Sequence, residues 1–228
     1  MSQVNINAKI TCISVYYGIT LLLVVAELYK ASTLVLVFKP LLIPCLFLLY
    51  LISSNSKSTW YIISLMLALG SNIFFISTNQ KWMLFGILFF LLYRIASIIT
   101  IIKISKKIDW LPLSLATIPF LFIFSWMINI MIPLSNPSFY PSVLNAIFIS
   151  IFCGMGLSHY ILNDNKQNSW LLISTLLFTF LVFLFLFENF YLSNSAFKPL
   201  SALVFSTAHF AFFKFMIEAE NQTTIDLP

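Results

Sequence analysis

Long, continuous apolar stretches alternate with short polar breaks from one end of the chain to the other. A helix needs about 20 apolar residues to cross a bilayer, and the stretches at 10–28, 34–53, 60–77, 82–102, 111–132, 141–162, 170–187 and 196–217 are of that order. Only helices and closed barrels satisfy the backbone in lipid. The runs do not alternate apolar with polar over short segments, so they predict helices and not barrel strands. The pattern therefore predicts an all-α integral membrane protein with eight transmembrane helices. They form a single domain over residues 1–217, followed by a short tail, 218–228, expected to be disordered. No polar segment is long enough to fold by itself.

Composition reinforces the pattern. Of 228 residues, 61% are hydrophobic and 8% charged, with a mean hydropathy of +1.00. A soluble domain could not cover its surface with so few polar side chains. Charge then orients the spans. With the N-terminus on one side, that side carries Lys9, Lys57, Lys103, Lys106, Lys107, Lys166 and Lys214, and the other carries only Lys30, Lys81 and Lys198. The positive-inside rule places both termini, and the tail, in the cytoplasm. Trp60, Trp82, Trp110 and Trp170 stand at span starts, as interfacial anchors do. The first span lacks a clean small-x-small cleavage site and is read as retained. Little Gly and Ala, one arginine, and abundant Ile, Lys, Asn and Phe point to an AT-rich bacterial genome, hence a bacterial inner membrane. The net charge of +5 resides mainly in loops and fits anionic lipid, not nucleic acid. Cys12, Cys45 and Cys153 all fall inside spans and read as packing residues. With two histidines and no ligand spacing, no metal site is expected, and no cofactor motif is present.

Ionisable groups inside the membrane are functional candidates by default. Arg94, near the middle of the fourth span, costs at least about 2.5 kcal/mol to insert and should face the bundle with a partner, Glu27 and Glu188 being candidates. Lys39 lies about 9 Å into the second span at 1.5 Å per residue and could snorkel outward. His159 ends the sixth span and His209 lies deeper in the eighth; isolated histidines there more often serve packing or hydrogen bonding than catalysis. Asn72, Asn129 and Asn145 are expected to join helices, and Gly154 and Gly156 to allow close packing. Pro40 and Pro44 predict a kinked or broken second span.

Two segments resemble each other. Glu27 and Glu188 are each followed by a Tyr, a Ser and then Phe-Lys-Pro-Leu, at 38–41 and 197–200. A duplicated hairpin would aim Lys39 and Lys198 at a shared anionic group such as a lipid phosphate; coincidence in a Phe- and Leu-rich chain is the alternative.

The segments "FKPLLIP", "LALGSNIFFIS", "FGILFFLLYRIASII" and "LSHYILNDNK", with the eight spans and the length, resemble the YhhN-like lysoplasmalogenase family over nearly the whole chain. The resemblance implies a membrane hydrolase that cleaves the vinyl ether bond of lysoplasmalogens. Its pattern carries Asp where this chain has Ser71, His where it has Arg94, and Asp where it has His159, whereas Lys39 and Pro40 match. Vinyl ether hydrolysis needs a proton donor. His159 acting with Ser71 or Arg94 is thus the expected altered catalytic group, with Lys39 and Lys198 binding substrate. The alternatives are a non-catalytic protein that binds membrane lipid or lysolipid on this fold, and a small transporter. The hydrolase expectation requires His159 near Ser71 or Arg94.

Overall fold

The computed structural model describes residues 3–77, 79–105, 108–191 and 196–225, with backbone alone at 3–6 and 222–225. The described residues form eight α-helices and no strand. They are α1 (Gln3–Leu28), α2 (Ser32–Ser53), α3 (Thr59–Phe74), α4 (Gln80–Ile104), α5 (Trp110–Met131), α6 (Phe139–Leu162), α7 (Lys166–Leu186) and α8 (Phe197–Ile225). A single turn of π-helix, Phe187–Tyr191, extends α7. Seven of the eight are long and apolar enough to cross a membrane. The exception is α3, whose 16 residues rise about 24 Å against a hydrocarbon core of about 30 Å.

The expected third span ran to residue 77, but α3 stops at Phe74. There the chain turns: the Phe75 N–H donates to the Ser71 carbonyl, and the Lys39 ammonium donates to the Phe75 carbonyl at 3.1 Å. A cation on the last carbonyls of a helix satisfies orphan acceptors and favours termination there. At the other ends the outcome is reversed. The polar N-terminal segment joins α1 from Gln3, and α8 continues through the expected tail to Ile225, while 226–228 lie outside the described residues. Contacts to α7 and α2 hold this part of α8. Glu218 pairs with Lys166 at 2.6 Å, and Glu220 accepts from the Tyr50 hydroxyl at 2.6 Å. Nor is α2 broken; it runs without interruption through Pro40 and Pro44.

Sequence neighbours pack in antiparallel pairs, α1 on α2, α3 on α4, α5 on α6 and α7 on α8. The pairs close into a ring in the order α1, α2, α3, α4, α6, α7, α8, with α8 returning to α1. Helix α5 stands outside the ring against α6, and its Leu111, Phe122 and Trp126 face outward. The bundle therefore has two ends. The upper end, as we term it, carries the α1–α2, α3–α4, α5–α6 and α7–α8 connections, and the lower end carries the others.

Polarity runs inside out. The outer faces are Leu, Ile, Val and Phe, while Ser64, Ser97, Ser150, Ser174, Thr175, Arg94 and His209 are buried. Many of the inner hydroxyls donate to the carbonyl one turn back, as Ser97 does to Tyr93 and Ser150 to Ala146. Others join helices: the Tyr16 hydroxyl donates to the Ser206 carbonyl at 2.8 Å, and Ser174 to Ala208 at 3.0 Å. Apolar exterior and hydrogen-bonded interior are what a lipid solvent requires.

The glycines of α6 mark its closest approaches. A β-carbon at Gly154 would meet Thr117 of α5, its hydroxyl and its α-carbon at 3.1 Å, and one at Gly156 would meet Thr175 of α7. Gly18 of α1 has nothing within 4 Å. Gly154→Ala should therefore destabilise the folded protein by about 1–3 kcal/mol through overpacking. Gly18→Ala should be neutral or stabilise by up to about 1 kcal/mol through helix propensity. Thermal denaturation of both variants in one detergent checks the contrast; equal shifts would refute it.

Candidate lipid-facing cavity and a second polar cavity

The upper end encloses a cavity of about 740 Å³. Every helix pair of the bundle contributes to it. The α1–α2 turn supplies Glu27 and Lys30, α2 supplies Lys39, and the end of α3 supplies Ser71 and Asn72. Ser142 and Asn145 enter from the start of α6, Glu188 from the π turn and Lys198 from the first turn of α8. Deeper walls are apolar and include Leu23, Ile87, Phe90 and Phe205.

Local sequence explains these placements. Helix α1 ends in a Schellman pattern: the Ala31 N–H reaches the Ala26 carbonyl, the Lys30 N–H reaches Glu27, and Lys30 has a φ of 54°. That left-handed residue reverses the chain and brings Glu27 and Lys30 to one rim. Asn72 donates to the Lys39 carbonyl at 2.6 Å, beside Pro40. Asn145 donates to the Ile87 carbonyl at 3.1 Å, and Ser71 to the Gly86 carbonyl at 3.1 Å. These bonds tie α2 to α3, α6 to α4 and α3 to α4 around the cavity. Asn72 and Asn145 thus join helices as expected, whereas Asn129 is exposed on α5. Glu188 rests on a π turn, an irregularity that often accompanies function. Lys39 lies in the electrostatic field of Glu27, Glu188 and Lys198. Three cations, Lys30, Lys39 and Lys198, and two carboxylates, Glu27 and Glu188, from both Phe-Lys-Pro-Leu hairpins therefore share one chamber.

Arg94 is not part of that chamber's lining. It is fully buried about 10 Å further along α4 than Ile87, at 1.5 Å per residue. Neither Glu27 nor Glu188 is its partner, because both sit at the rim. The guanidinium instead faces the rings of Phe90 at 4.8 Å, Phe152 at 5.7 Å and Phe178 at 5.8 Å. Ring faces offer a desolvated cation some compensation, about 2 kcal/mol or more per favourable contact. His209 packs in the same layer, its ring 4.9 Å from Phe178 and 4.4 Å from Phe205.

His159 is elsewhere. It lines a second cavity, of about 670 Å³, at the lower end. Its Nε2 is 2.8 Å from the Ser105 hydroxyl and its Nδ1 is 2.8 Å from the Met155 carbonyl. Ser71 bonds to Gly86 and His159 to Ser105, so nearly the whole of α4, about 28 Å, separates them. The expected group of His159 with Ser71 or Arg94 is therefore not assembled: Ser71 lies at the opposite end of α4, and Arg94, eleven residues along α4 from Ser105, is about 16 Å away among the rings of Phe90, Phe152 and Phe178. Lys39, Lys198 and Ser71 are brought together. Sequence reading did not place Glu27 and Glu188 in a site, although their position in the paired motifs carried the signal. Ser105 carried none, since only the fold sets it against His159.

The fold and its polar interior define an all-helical, multi-pass membrane protein with an amphiphilic cavity opening toward one end. The chain belongs to the YhhN family, whose model matches residues 34–214. Searches among curated proteins and among solved structures return no match.

A buried guanidinium packed on rings and without a hydrogen-bond partner among the described residues should be replaceable by an apolar side chain of similar length. Arg94→Met is expected to keep or raise the thermal midpoint, by up to about 3 kcal/mol in stability, since the insertion cost of the charge disappears. A large loss of stability would show that the charge is required by the fold.

Proposed function

We propose that the upper cavity is a lysolipid site, and that the protein is a divergent hydrolase of the lysoplasmalogenase type that cleaves the vinyl ether bond of a lysophospholipid. The observation that carries this reading is the convergence of Lys39, Lys198, Glu27 and Glu188 on one amphiphilic cavity. Lys39 and Lys198 bind the phosphate. The apolar walls receive the hydrocarbon near the headgroup. A glutamic acid of the Glu27–Glu188 pair supplies the proton that Ser71 and His159, at the family's aspartate positions, do not. Protonation of the alkene carbon leaves an oxocarbenium ion, water adds to it, and the hemiacetal collapses to an aldehyde and a glycerophospho-alcohol. A carboxylic acid among apolar side chains suits the first step.

In this reading α3 completes eight crossings, short as it is, because a thinned bilayer or flanking polar residues absorb a mismatch of a few ångströms. Both termini then face the cytoplasm of a bacterial cell, and the cavity opens on the opposite side of its inner membrane, as the lysine asymmetry requires. The second reading, lipid binding without hydrolysis, is favoured by the absence of the two expected aspartates and keeps the same lysines.

Aldehyde release from a lysoplasmalogen by the purified protein decides between them. Lys39→Ala with Lys198→Ala should weaken lysolipid binding at least tenfold, the loss of charge-assisted contacts worth about 1.5 kcal/mol or more. Glu27→Gln or Glu188→Gln should lower aldehyde release by about 10²–10⁴ while binding persists, the usual contribution of a general acid. Binding without release by the parent protein would favour the second reading, and neither would sink both.

A further inference from the structure

The lower cavity holds a serine and a histidine in the relation that activates a hydroxyl. Ser105 follows the last turn of α4, where its own N–H still closes on the Ile101 carbonyl. His159 lies in the last turn of α6. The two are 2.8 Å apart, Oγ to Nε2. The tautomer follows from the other nitrogen. A backbone carbonyl can only accept, so Nδ1, 2.8 Å from the Met155 oxygen, carries the proton. Nε2 of the neutral ring is then the free base and takes the hydroxyl hydrogen of Ser105. Nucleophile, base and an acceptor that orients the base are the three parts of an activated nucleophile, here with a main-chain carbonyl in the orienting place.

The surroundings fix this pair. Asn168 donates to the His159 carbonyl at 3.1 Å and to the Asn163 carbonyl at 2.8 Å, binding the end of α6 to the start of α7. Asn165 caps α7 by accepting from the Asn168 N–H. The histidine therefore sits at a knotted polar junction, and its ring faces open volume that Lys103, Asn163 and Gln167 also line. Lys103 stands over the Trp60 ring at 5.0 Å, a pairing suited to the headgroup depth of a bilayer.

We propose that Ser105 and His159 form a nucleophilic dyad at the lower cavity, acting on a carboxylic ester presented at the membrane interface. Ser105 Oγ attacks the ester carbonyl as its proton passes to His159 Nε2. The acyl–oxygen bond breaks, and the departing alkoxide takes that proton and leaves as the alcohol. Water then enters and, giving a proton to the same nitrogen, bonds through its oxygen to the acyl carbon. The acyl–Oγ bond breaks, Oγ takes the proton back from Nε2, and the carboxylic acid leaves Ser105 free. The site is independent of the upper cavity, about 28 Å away along α4.

The test uses the full-length protein in lipid nanodiscs and a fluorophosphonate probe, which bonds phosphorus to an activated serine oxygen and expels fluoride. Peptide mapping should place the label on Ser105. Ser105→Ala should remove it, His159→Gln should slow labelling about a hundredfold or more, the usual share of a general base, and Ser114→Ala, an exposed α5 serine, should leave it unchanged. Hydrolysis of a p-nitrophenyl ester should follow the same order. An unlabelled parent protein, or a label that persists in Ser105→Ala, overturns the proposal. Mapping the label on the parent protein does not depend on either variant folding. Lys39→Ala with Lys198→Ala should leave labelling intact, which keeps this outcome separate from that of the upper site.

Discussion

Lipid offers no hydrogen bond to a polar group, and most of the fold follows from that constraint. Backbone donors and acceptors are consumed by the helices themselves. Many side-chain hydroxyls and amides turn inward and find carbonyls, either one turn back on their own helix or on a neighbour. Tyr16 to Ser206, Ser174 to Ala208, Asn72 to Lys39 and Asn145 to Ile87 are such bonds. Each is modest, about 0.6 kcal/mol on average between membrane helices. Their value lies in register, because each is met at one rotation and one depth of its helix.

The same constraint sorts the ionisable residues by depth. Those at the ends gather where water can reach, giving an upper cavity with Lys39, Lys198, Glu27 and Glu188, and a lower one with His159, Lys103 and Glu220. The one arginine, in the middle, has the rings of Phe90, Phe152 and Phe178 around its guanidinium. Because successive helices reverse direction, the α1–α2, α3–α4 and α7–α8 connections feed the upper cavity and the even connections the lower. Two separated polar chambers are a consequence of this topology, and they give the protein chemically distinct faces.

Close packing decides how these chambers are shaped. Gly154 and Gly156 let α6 approach α5 and α7, and α6 in turn contributes Ser142 and Asn145 above and His159 below. Phe178 meets Arg94, His209, Phe152 and Phe90 at the centre, an aromatic layer that separates the two chambers. The short α3 matters for the same reason. By ending at Phe74 it leaves the Phe75 carbonyl for Lys39, which holds that ammonium at the cavity rather than beyond the bundle.

Much of the architecture was legible along the chain. Continuous apolar runs of the right length specify helices, because hydropathy is a local property and a barrel strand would alternate. The paired Glu and Phe-Lys-Pro-Leu segments marked Lys39 and Lys198, since equivalent positions in two hairpins reach the same depth. Asn72 and Asn145 were readable as helix-joining residues because an amide inside a span needs a carbonyl. What tertiary structure alone decided was company. Helices apolar on all sides carry no periodic signal of which face meets which neighbour, so nothing in the sequence tells that His159 meets Ser105, although the depths of Ser71 and His159 in their spans already set those two at opposite ends. The rings around Arg94 were hidden for the same reason, coming from α4, α6 and α7 at once. Depth is written residue by residue, whereas partnership depends on the rotation of each helix about its axis, which only the packed bundle determines.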